Sequence, residues 1–87
     1  MFISYDREAD ALYIRFSSGK PRESVEVDDG IIVDIGENGE ILGIEILAFS
    51  KRNMDLNKII VLPPEKIVPE IVTGDVKWSE LGTLSTQ

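Results

Sequence analysis

The chain has 87 residues, nine of them basic and sixteen acidic, for a formal charge of −7. That is room for one small domain with a thin core, and its charge opposes the phosphate backbone of a nucleic acid. Cysteine and histidine are both absent, which excludes disulfides and removes thiolate and imidazole as metal ligands and acid–base groups.

The chain opens on the apolar, strand-like Phe2-Ile3-Ser4-Tyr5 and not on a basic region followed by a long apolar run, so no signal peptide is read. The apolar run at 59–62 is too short to span a bilayer. A cytoplasmic protein with no membrane partner is the expectation.

Residues 10–16 alternate, with Leu12, Ile14 and Phe16 on one side and Ala11, Tyr13 and Arg15 on the other. They are expected to form a hairpin with residues 2–5 across the polar turn Asp6-Arg7-Glu8-Ala9, and two registers differing by one residue stay open. Residues 17–22, with Gly19 and Pro21, read as a loop.

A three-strand meander is expected over residues 24–28, 31–36 and 40–46. Asn38-Gly39 signals a two-residue type I′ turn, in which both central residues need positive φ. Centring the turn there sets Glu37 opposite Glu40, Ile35 opposite Leu42, Val33 opposite Ile44 and Ile31 opposite Ile46. A slip of one residue would spoil the match. Asp28-Asp29-Gly30 suits a three-residue loop that ends on a left-handed glycine, setting Val27 against Ile31 and Val25 against Val33. Both turns choose the same apolar face.

Beyond the meander, residues 47–52 suit a single helical turn, and Asp55 or Asn57 can cap another. Pro64 suits the first position of a helix over residues 64–68, which Pro69 is expected to end. Trp78 and Leu81 are candidates to dock on the sheet, and residues 83–87 read as frayed. The fold class expected is α+β, mostly β: an antiparallel meander of about five strands followed by one or two short helical segments. It makes a single domain over residues 1–87. Residues 1–50 form the β core, and residues 51–87 cover the sheet of their own chain or of another subunit.

Three separated motifs occur in order: Tyr5-Asp6-x-Glu8-Ala9-Asp10-Ala11-Leu12-Tyr13-Ile14, then Asp29-Gly30-Ile31-Ile32-Val33-Asp34, then Gly39-x-Ile41-Leu42-Gly43-Ile44-Glu45-Ile46-Leu47 with Ser50 after it. In these the first fifty or so residues resemble the small bacterial domain of unknown function 2283. Arg7 stands where that family often has proline, and Phe49-Ser50 where it often has alanine-serine. The resemblance implies a compact sheet domain without an assigned active site. It also implies an antitoxin-like role, since such genes often sit beside small basic proteins resembling toxins of the ribonuclease type.

Among chemistry-bearing residues, Asp6, Glu8 and Asp10 crowd one turn and supply oxygen ligands of the kind a hard cation prefers. Turn capping by aspartate and plain solvation are the better explanation of them. Asp34, Asn38, Gly39 and Glu45 match four positions of a calcium loop, but Gly36 offers no ligand and the segment is committed to a hairpin. Glu26 and Glu45 flank Ile32 as a carboxylate pair, on an open sheet and not in a cleft. No serine or lysine sits in a nucleophile motif, and the glycines belong to turns. The residues support no catalytic, cofactor or metal assignment.

The second face of the sheet is expected to carry Tyr13, Arg15, Glu26, Ile32, Asp34, Ile41 and Glu45. Ile32 and Ile41 call for cover, from the C-terminal third or from a partner. The leading expectation is a non-catalytic interaction module that self-associates and binds a small basic protein. The alternatives are a purely structural homo-oligomer, or a carboxylate-based metal-binding or enzymatic domain.

Overall fold

A computed structural model describes residues 1–74. The chain divides into two compact units, Met1–Lys51 and a second that begins at Arg52.

The first unit is a five-stranded antiparallel sheet: β1 (Phe2–Asp6), β2 (Ala11–Arg15), β3 (Glu23–Asp28), β4 (Ile31–Ile35) and β5 (Ile41–Ile46). The strand order is β1-β2-β5-β4-β3. The N-terminal hairpin therefore joins the three-strand meander by pairing β2 with β5, and β5 is central. Of the two registers left open for the first hairpin, the one present sets Phe2 opposite Arg15 and Tyr5 opposite Leu12.

The apolar face is continuous across the three inner strands. Ile14 pairs with Ile44 and Ile44 with Val33, while Leu12 pairs with Ile46 and Ile46 with Ile31. All six are buried, and each contributes roughly 1.5–3 kcal/mol by leaving water. Burial fades at the edges: every residue of β3 is exposed, including Val25 at 36% and Val27 at 40%.

Both meander turns differ from expectation by one residue, and a bulge restores the register each time. At the second hairpin, the Gly39 N–H donates to the Gly36 carbonyl and the Gly36 N–H to the Glu40 carbonyl, at 3.1 and 2.8 Å. The loop is thus the three residues Glu37, Asn38 and Gly39. Only Gly39 takes the left-handed conformation, with φ +80°, while Asn38 is not among the positive-φ residues, so the turn is not type I′. Ile35 consequently faces Ile41 in place of Leu42, and an extra residue in β5 returns Val33 to Ile44. At the first hairpin, Asp28 pairs with Ile31 around Asp29-Gly30, and a bulge at Val27 returns Glu26 to Ile32 and Val25 to Val33. Bulges of this kind leave the apolar face intact at the cost of one unpaired residue.

A 3₁₀ turn, Phe49–Lys51, follows β5 within the expected 47–52. In the second unit, Asp55 caps α1 (Leu56–Ile60) by accepting from the Asn57 N–H at 3.0 Å. Helix α2 (Pro64–Thr73) begins on Pro64 as expected but runs through Pro69. Pro69 is the sixth of the ten helical residues, so it forfeits the backbone bond to the Glu65 carbonyl and crowds that group. Ile67 and Ile71, one turn apart and both buried, continue across it. Gly74, at φ +87°, ends the helix by donating its N–H to the Glu70 and Ile71 carbonyls. Trp78, Leu81 and residues 83–87 lie outside the described residues. Among those described, no helix is long and apolar enough to cross a membrane.

Candidate functional site

Strand alternation puts two rows of polar and mixed side chains on the face opposite the apolar one. Across the strands, Ser4, Tyr13, Glu45, Ile32 and Glu26 form one row, and Phe2, Arg15, Gly43, Asp34 and Ser24 the next. Six of the seven residues expected on this face are therefore together there. Ile41 is the exception: the loop of three residues sets it opposite Ile35, and directly opposed residues share a face. It stands with Ile31, Val33 and Ile35. The signal available in the sequence was the adjacent apolar pair Ile41-Leu42, which breaks the alternation where the bulge lies.

Tyr13 organises the face. Its ring reaches across Gly43 so that its hydroxyl donates to Asp34 Oδ2 at 2.7 Å. A Cβ built on Gly43 would stand 2.6 Å from the Tyr13 Cζ and 2.9 Å from the Ile14 carbonyl oxygen, so only glycine admits this crossing. The other carboxylate oxygen of Asp34 accepts from Ser24 Oγ at 2.6 Å. The Arg15 guanidinium lies 5.6 Å from the Tyr13 ring centre, in cation–π range. Partial burial, then the hydrogen bond to Asp34, raise the Tyr13 pKa above its ordinary value. The phenol therefore stays protonated and keeps donating at neutral pH.

Beside this network, Ile32 is half-buried between Glu45 on β5 and Glu26 on β3. Glu26 also serves its own hairpin, accepting from the Gly30 N–H at 3.0 Å. Ile32 thus stands as an apolar side chain between carboxylates on the two neighbouring strands.

The acidic turn 6–10 is committed to internal bonds. Asp6 Oδ1 accepts from the N–H groups of Glu8 and Ala9 at 3.0 and 3.2 Å, closing its own turn. Asp10, held at φ +53°, accepts from the Tyr5 hydroxyl at 2.5 Å, the Ser50 N–H at 3.0 Å and Ser50 Oγ at 2.7 Å. Its backbone carbonyl accepts from the Phe49 N–H at 2.9 Å, and the Tyr5 and Phe49 rings meet edge to face. The Tyr5 hydroxyl, then the two Ser50 donors, lower the Asp10 pKa. Among the described residues no three acidic side chains gather as a metal ion requires.

Sequence reading missed Ser24 as a partner of Asp34 and Gly43 as the floor under Tyr13. A glycine inside an otherwise well-formed strand was the signal for the latter, since it often marks a close approach. Tyr5 and Ser50 were visible only as parts of a motif, and Asp10 also as part of the acidic turn; the clasp supplies their physical reason.

The comparisons with known proteins reach beyond this unit, one match covering 86% of the chain. An uncharacterized protein of Methanocaldococcus jannaschii is 36% identical over 81 residues, covering 86% of this chain and 69% of that protein. A Methanosarcina mazei protein whose name reads "Putative hypoxanthine phosphoribosyltransferase" is 48% identical over 48 residues, which are 55% of this chain but 38% of that protein. No solved structure matches the chain. The Methanocaldococcus relative is archaeal, and the bacterial setting that the resemblance implied finds no support in it. A family model described as "Protein of unknown function (DUF2283)" matches residues 3–50, from within β1 to the serine that closes on Asp10, and the chain belongs to that family.

Proposed function

We propose that the chain is a non-catalytic protein-interaction module whose second face binds a small basic protein. The observation that carries this reading is the row Tyr13–Glu45–Ile32–Glu26, an apolar anchor set between carboxylates on neighbouring strands. Burying Ile32 supplies affinity, while Glu26, Glu45 and Asp34 steer a basic partner and fix its orientation. The charge of −7 supports the same choice of partner. An antitoxin-like role beside a basic toxin is the specific form of this proposal. The phosphoribosyltransferase name of one relative is not carried over, because the match spans 38% of that protein.

The test is a tagged pull-down of the full chain from its source organism, read by mass spectrometry and light scattering, beside the Ile32→Asp variant. A stoichiometric small basic protein, lost with Ile32→Asp while the circular dichroism stays native, is the expected result. Recovery of the chain alone, or a partner indifferent to Ile32→Asp, overturns the reading.

A further inference from the structure

We propose that β3 is a docking edge on which an extended, basic segment of another polypeptide adds to the sheet as a further strand. This rests on the interaction-module reading and specifies how the basic partner is held.

An edge strand presents backbone donors and acceptors that no neighbour uses. The sheet has two such edges, β1 and β3. Folded proteins blunt an edge with charged side chains, lysine above all, with proline or with a bulge. Strand β3 has no lysine or proline, and its three carboxylates and its bulge at Val27 turn away a like-charged strand but not a basic one. Its sequence is Glu23-Ser24-Val25-Glu26-Val27-Asp28, and all six residues are exposed. Three carboxylates lie along it, whereas β1 carries one, at Asp6.

That charge selects the occupant. Like charges directly opposite one another destabilise a strand pair, and opposite charges stabilise it. A second copy of β3 fits poorly. Antiparallel pairing centred between Val25 and Glu26 sets Glu23 against Asp28, and pairing centred on Glu26 sets that residue against itself. Centring on Val25 or on Ser24 sets Arg22 against Asp28 or Glu26, but Arg22 is already paired with Glu23 at 3.0 Å. A basic segment meets no such conflict. The bulge at Val27 turns the end of the strand, so the pairing centres on Glu23 to Glu26. The segment then alternates, with an apolar residue opposite Val25 and lysine or arginine opposite Glu26. Behind Glu26 in the same row stand Ile32 and Glu45, so a docked strand continues the contact surface already described.

The experiment titrates the full, nitrogen-15-labelled chain with an octapeptide alternating lysine and valine, and with its glutamate–valine counterpart. Amide hydrogen exchange and chemical shifts are read residue by residue. The lysine peptide is expected to protect β3 amides and leave β1 unchanged, and the glutamate peptide to do neither. The double variant Glu23→Lys/Glu26→Gln, whose glutamine amide oxygen can still accept from the Gly30 N–H, is expected to weaken binding by about tenfold or more. No binding, protection at β1, or undiminished affinity in the double variant overturns the proposal. Shifts at Tyr13, Ile32 and Glu45 with β3 unprotected overturn strand addition alone and leave the interaction face standing. Protection of β3 that is indifferent to Ile32→Asp does the reverse.

Discussion

Asp10 and Asp34 have the same partners by type and different jobs. Each accepts from one tyrosine hydroxyl and one serine hydroxyl, Tyr5 and Ser50 in the first case, Tyr13 and Ser24 in the second. The Asp10 group ties a turn to a segment forty residues later and adds two backbone donors, the Ser50 N–H to its side chain and the Phe49 N–H to its carbonyl. The Asp34 group lies flat on the sheet, joining strands already paired through their backbones. Hydrogen bonds to a carboxylate are stronger than neutral ones in either place. What differs is the entropy at stake: the clasp orders a segment that lies outside the ladder, whereas the flat network shapes a surface.

The comparison is tested most severely at Gly43, because the flat network exists only if Tyr13 can cross that residue. Gly43→Val puts side-chain atoms into the Tyr13 ring and against the Ile14 carbonyl. Overpacking of this kind costs about 1–3 kcal/mol, which for a chain of this size lowers Tm by roughly 10 °C. Thermal melts check it. Adding Tyr13→Ala is expected to recover part of the loss, by removing one of the two clashes. A Gly43→Val variant with native Tm would mean the ring does not cross there.

Removing the serines separates the two groups more gently. Ser50→Ala deletes the hydroxyl bond to Asp10 in a segment outside the ladder, and Ser24→Ala deletes its counterpart on an exposed edge strand. The expected order is a loss of roughly 4 °C for Ser50→Ala and of about 1 °C or less for Ser24→Ala. Amide exchange sharpens the difference: Ser50→Ala is expected to speed exchange at Phe49 and Ser50, and Ser24→Ala to leave β3 unchanged. Equal losses would remove the distinction between a clasp and a surface network.

Much of this architecture was legible because the apolar alternation on β4 and β5 favours one register, which survived at Val33–Ile44 and Ile31–Ile46 and was lost at Ile35. The turns were less so. Asn38-Gly39 and Asp29-Gly30 each place glycine in the left-handed conformation, yet the residue count of a loop can change by one if a bulge absorbs it. Alternation read strand by strand does not see that exchange. The continuation of α2 past Pro69 was hidden for a related reason: the local cost of proline is plain in sequence, while the burial of Ile67 and Ile71 that offsets it is a tertiary property. The clasp was the least legible feature, since no local rule pairs Asp10 with a serine forty positions on. The residues of the second face followed from parity except Ile41, but Tyr13 reaching Asp34 over Gly43 needed the actual adjacency of β2, β5 and β4.

The smallest expected effect separates the two groups by pH. Asp10 has its pKa lowered from 3.8 by Tyr5 and Ser50. Its folded form thus binds protons less readily than the unfolded chain, so its contribution is complete above the ordinary carboxylate range and is lost as pH falls through the lowered value. Tyr5 and Tyr13 behave oppositely. Both are raised above 10.0, Tyr5 chiefly by its bond to Asp10 and Tyr13 chiefly by burial. Their contributions are complete below pH 10.0 and are lost as pH rises through the raised values. Asp10→Asn is therefore expected to flatten the acid limb of a Tm-against-pH curve, and Tyr13→Phe part of the alkaline limb while leaving the acid limb as it was. Tyr5→Phe touches both, because it removes the largest cause of the Asp10 shift and a raised phenol at once. A Tyr13→Phe variant with an altered acid limb would show that the two groups are coupled through the sheet and are not the independent devices their geometry describes.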